Sequence, residues 1–175
     1  LENEKKVVLE EISREQDAPD RQLFRHLLAT AFPDHPYGRP VLGDAQLIQN
    51  CTTTQLKHLH QRLFQGDRLT FTVVGDVPVA EVSEYLEARI PPLVASKPSP
   101  MPAPPTHAGF EVSIIEKDLF EHRLAIGWPI PDFTAPQAPA LELLSMLWGQ
   151  GASSPLEKML CWDNQMVNEA GTFLF

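Results

Sequence analysis

Basic charge, cysteine and long apolar runs are all scarce in this chain, and each scarcity removes a class of function. Fourteen Lys and Arg stand against twenty-three Asp and Glu in 175 residues, a net charge of -9, and no basic run is longer than Lys5-Lys6. Clustered positive charge carries binding to nucleic acid and to anionic membrane surfaces, so neither partner is expected. Two cysteines, Cys51 and Cys161, lie far apart and neither belongs to a Cys-x-x-Cys pair. That excludes a disulfide framework and a cysteine-rich zinc site, and leaves both as small packed residues. Apolar stretches stay short of the roughly 18 residues a membrane span needs, and the first residues follow a charged helical pattern rather than that of a cleavable signal. A soluble piece is expected, cytoplasmic or periplasmic if bacterial, with no membrane span.

Proline, by contrast, is plentiful and unevenly placed. Seven of the seventeen prolines fall between Pro91 and Pro105. Proline fixes φ and removes the backbone donor, so this stretch is expected to be a semi-rigid extended linker. The expected organisation is a first domain over 1-90, the linker over 91-108 and a second domain over 109-175. Helical periodicity runs over 1-16 and 20-32, and Asp44 and Thr52 are placed to cap two further helices. Helices are also predicted from Pro78 to about Ile90, over 138-147 and over 156-165. Strands are predicted at Leu69 to Val74, Phe110 to Ile115 and Arg123 to Trp128, and the last residues, Thr172 to Phe175, are strand-like. These patterns favour an α+β fold. No turn or polar tail follows Phe175, so the natural chain is expected to continue.

The first helix carries acids where apolar residues are expected. At about 100° per residue, Glu4, Glu11 and Glu15 fall within the arc bounded by Val7, Val8, Leu1 and Ile12, while Glu2, Lys6, Glu10, Ser13 and Arg14 point the other way. An inward carboxylate costs several kcal/mol unless a cation or donor compensates it. A divalent metal and a structural arginine both meet that need.

The segment Glu4-Lys-Lys-Val-Val-Leu-Glu-Glu11-Ile12, followed by a helix and then His35-Pro-Tyr-Gly-Arg-Pro-Val-Leu-Gly43, resembles the pitrilysin/insulinase family of zinc metallopeptidases, whose active site carries an inverted His-x-x-Glu-His motif. Val73-Val-Gly-Asp76 looks like the strand closing the family's first domain. His122-Arg-Leu-Ala-Ile-Gly-Trp128 and Leu147-Trp-Gly-Gln-Gly-Ala-Ser-Ser-Pro-Leu156 look like the opening strand and the glycine-serine turn of its second domain. The resemblance implies an α+β fold of mixed helices and largely antiparallel sheet layers, here in two incomplete domains. It also implies that Glu11 is the third zinc ligand and Glu4 the supporting catalytic acid. A carboxylate and two imidazoles leave one zinc position open, where water is activated for attack on a peptide carbonyl. Nearby acids such as Glu4 hold the ligands in place.

No His-x-x-Glu-His occurs in the chain. Asp118-Leu-Phe-Glu121-His122 imitates it, but has Asp where the first ligand should be. Because the family places the zinc motif upstream of the glutamate helix, the chain is expected to be an internal fragment of a zinc metalloendopeptidase. Alone it is expected to be inactive and not to bind zinc tightly; its substrate would be a peptide or unfolded protein. The alternative is a non-catalytic family subunit, a scaffold or partner of an active peptidase. His58-Leu-His60 points its imidazoles to different sides of a helix, and Gly149 to Ser154 reads as a turn with Ser153 or Ser154 capping the next helix.

Overall fold

The computed structural model describes residues 1-64, 69-90, 100-105 and 109-175. Residues 91-99 and 106-108 of the expected linker therefore lie outside the described residues.

Helices form where local signals set their ends. Helix α1 (Glu2–Gln16) has Glu2 and Glu4 at its positive N-terminus and Arg14 in its last turn, complementing the helix dipole. Helix α2 (Pro19–Ala31) begins on a proline whose missing N–H is no loss in a first turn, and it stops short of Pro33. A 3-10 turn spans Pro36–Gly38. Asp44 caps α3 (Ala45–Asn50), its Oδ1 accepting from the amides of Gln46 at 2.8 Å and Leu47 at 3.1 Å. Thr52 and Gln55 form a reciprocal capping box on α4 (Thr53–Leu63). Pro78 precedes α5 (Val79–Arg89), whose half-buried residues are Val82 and Leu86.

These helices belong to a first unit, Leu1–Gly127. Helix α1 packs on α2 and α3, and α2 on the 3-10 turn. Residues 109-127 lie beside α2 and the end of α1 without helix or strand, bending at Phe120 and Glu121, and are held by side chains. His26 Nε2 and Ser113 Oγ lie 2.6 Å apart, Lys117 Nζ donates to the Gln16 carbonyl at 3.4 Å, and Arg123 pairs with Asp20.

The second unit is Trp128–Phe175. It holds α6 (Ala138–Gly149), the single turn α7 (Pro155–Glu157) and a π-helical turn over Lys158–Asp163. Buried Ser154 caps α7 by accepting from the Glu157 amide at 3.3 Å. Thr172 closes on α6, its hydroxyl donating to the Ser145 carbonyl at 2.7 Å. That approach requires Gly149, since a Cβ there would meet the Thr172 amide at 2.4 Å.

The expected α+β fold with antiparallel sheet layers is overturned: the described residues form helices, turns and irregular runs, with no strand among them. A ladder requires a second extended segment alongside, with free N–H and C=O groups. The run 109-127 lies instead beside α1 and α2, whose interior backbone groups are engaged within their own helices. Leu69 to Val74 forms neither helix nor strand, with Val74 93% exposed.

Ile12 is the only buried hydrophobic residue among those described.

Candidate functional site

The less exposed residues of α1 are Lys5, Val8, Leu9, Ile12 and Glu15, of which Ile12 is the most buried at 5% exposed. Glu4 and Glu11 are not among them. Both are exposed, on a flank a quarter-turn away, with the half-exposed Val7 between them. The arc expected to face inward is thus divided into a packed half centred on Ile12 and an open half carrying Glu4 and Glu11, while Glu15, the third acid of the arc, is half-buried. Open water solvates the Glu4 and Glu11 carboxylates, so neither needs a compensating cation within the described residues.

Seven helical residues rise about 10 Å, so Glu4 and Glu11 share a face but cannot both bind one ion. A carboxylate on an exposed helix face suits the oxygen-donor position of a zinc set. Among the described residues no group of three or more His, Cys, Asp or Glu accompanies it to complete a metal site.

His26, His35 and His60 are engaged otherwise. His35 is buried at 4% exposed, and its Nδ1 accepts from the Tyr37 amide at 3.2 Å. Nε2 therefore carries the proton and donates to the Pro102 carbonyl at 3.1 Å, which leaves no lone pair for a metal. Its ring meets those of Phe32 and Tyr37 at centroid distances of 5.7 and 4.8 Å. Gly38 ends this turn with its Cα against the chain; a Cβ would lie 2.3 Å from the Phe32 carbonyl oxygen. On α4, His58 is exposed and His60 stacks on Phe64 at 4.3 Å. Glu121 of the zinc-motif imitation lies at a bend, not on a helix, and faces Arg123 at 4.0 Å.

In the second unit, Glu157 Oε2 accepts from the Cys161 thiol at 3.3 Å and the Ala170 amide at 3.2 Å. Desolvation first, then the Glu157 carboxylate, raises the Cys161 thiol above its ordinary value, so it stays protonated and is a poor nucleophile at neutral pH.

Sequence reasoning did not single out Lys5. Its Nζ donates to the Gln49 carbonyl at 3.1 Å and pairs with Glu2 at 3.2 Å, and its side chain is only 13% exposed. Its place seven residues before Ile12, on the same stripe, is the signal that marks it.

Residues 50–174 match the family model described as the peptidase M16 inactive domain. An uncharacterized zinc protease of Mycobacterium leprae is 32% identical over 163 residues, covering 89% of this chain and 36% of that protein. The zinc protease PqqE of Helicobacter pylori is 30% identical over 173 residues, covering 95% of this chain and 39% of that protein. The crystal structure of a protease from Helicobacter pylori superposes with a TM-score of 0.72 at 26% identity, over 99% of this chain and 43% of that one. The chain thus spans less than half the length of these relatives. No helix among the described residues is long and apolar enough to cross a membrane.

Proposed function

Because this chain belongs to the peptidase M16 family, we propose that it is part of a zinc metalloendopeptidase, in which α1 contributes Glu11 as a zinc ligand and Glu4 as a supporting acid. One observation carries this reading: the two acids stand on one open face of α1, seven residues apart, with the half-exposed Val7 between them. Imidazole ligands would come from elsewhere in the intact protein. Zinc, when bound, would supply Lewis acidity to a peptide carbonyl and to attacking water. Glu11 would give the site a fixed negative oxygen donor, and Glu4 would orient neighbouring groups from one side. Both acids lie outside 50–174, the stretch that matches the inactive domain, so the chemistry belongs to α1 and the remainder to support and substrate contact.

The substrate class is a peptide or unfolded protein, a reading supported by relatives named as zinc proteases. The reading is tested by metal analysis of the intact protein. Wild type should carry about one zinc per active site, and Glu11→Gln should lower zinc content and peptide hydrolysis together. Unchanged zinc and turnover in that variant would remove Glu11 from the site.

A second reading, a non-catalytic subunit partnering an active peptidase, is favoured by the inactive-domain match over most of the chain. It predicts an intact protein that holds no zinc and cuts nothing.

A further inference from the structure

Lysine ammonium groups seldom leave water, yet the Lys5 side chain is 13% exposed. Its Nζ reaches the carbonyl of Gln49, in the last turn of α3. The final carbonyls of a helix have no partner within it and lie at its negative end. Helix α3 has no basic residue of its own there, so Lys5 provides the charge and the donor from another helix.

Val8, Leu9 and Ile12 continue the packed stripe beyond Lys5, with Ile12, its most buried residue, two turns or about 10 Å further on. The apolar part of the stripe is non-directional packing, whereas the Lys5 bond is directional and fixes one angle about the helix axis. Each acid directly precedes a residue of the stripe, Glu4 before Lys5 and Glu11 before Ile12. The same step of about 100° therefore leads from an open carboxylate to a packed anchor both times. We propose that Lys5 is a positioning residue, which sets the roll of α1 and so the direction in which Glu4 and Glu11 are presented; this rests on the zinc reading of Glu11.

The test is zinc affinity of the intact protein, by competition with a chelating dye, at a temperature where circular dichroism shows every variant folded. Lys5→Met should weaken zinc binding roughly tenfold, the size of loss usual for groups that orient metal ligands. Lys5→Arg should restore most of it. Lys6→Met makes the same charge change on the other side of the helix and should leave affinity unchanged. A purely structural lysine would lower the melting temperature without touching zinc affinity in the folded protein. Wild-type affinity in Lys5→Met, or an equal loss in Lys6→Met, overturns the proposal. Should Lys5→Met fail to fold, Lys5→Gln takes its place, with reduced affinity expected and wild-type affinity overturning it. Loss of zinc in Glu11→Gln but none in the Lys5 variants removes only the positioning role; retention in Glu11→Gln removes the zinc reading beneath it.

Discussion

At the scale of single residues, hydrogen-bond polarity decides more than residue type does. His35 has the chemistry of a metal ligand, yet the Tyr37 amide and the Pro102 carbonyl occupy both ring nitrogens. The sequence marks a proline-rich turn at this position, but not the partner 67 residues away. Asp132 illustrates the opposite case, a wholly local bond. Its Oδ1 accepts from the Thr134 hydroxyl and, at 2.8 Å, from the Thr134 amide. The hydroxyl bond first, then the amide bond, lowers its carboxyl below the ordinary 3.8. A depressed carboxyl stabilises the folded turn above its unfolded value and withdraws that support as pH falls through the folded value. The Thr134 amide shift in an NMR titration should therefore change with a midpoint below 3.8, the ordinary value. A midpoint at or above it would show that the turn does not hold the charged form.

At the scale of elements, the helix ends were legible because their causes lie within three residues. Asp44, Thr52 and Ser154 all cap as their positions predict, and Pro155 opens α7. Helix α4 gives the cleanest test, since its residues are exposed and little else supports it. Removing the cap by Thr52→Ala should cost about 1 kcal/mol of local helix stability. Faster amide exchange confined to the first turn of α4 would register it, and unchanged exchange at Gln55 would argue that the box contributes nothing. The predicted strands were legible only as segments that avoid helix; none of them forms a strand. Alternation at Leu69 to Val74 and Phe110 to Ile115 correctly marks residues that avoid helix, but pairing them requires a neighbour that alternation cannot name.

For the whole molecule, the surface is the dominant fact. Phe110 is 87% exposed, Ile114 82% and Leu124 83%, and such apolar runs mark faces built to be covered. The 175-residue chain by itself should therefore bind the dye ANS with a strong rise in fluorescence. No rise would mean that these side chains find cover that the structure does not show. Family membership was legible at this scale through the wording of α1 and of the His35 turn, and the match to residues 50–174 bears it out.

What the sequence determined by itself is where helices begin and end and which family the chain belongs to, because backbone bonds within a helix and its caps join residues at most four apart. Two matters were left to tertiary structure: whether the extended runs form a sheet, and how α1 is rolled. A ladder depends on which backbone lies alongside, and here that neighbour is helical. The roll of α1 depends on a bond from Lys5 to a carbonyl 44 residues away. Periodicity alone cannot separate the packed half of an arc from its open half, because contacts distant in sequence draw the line between them.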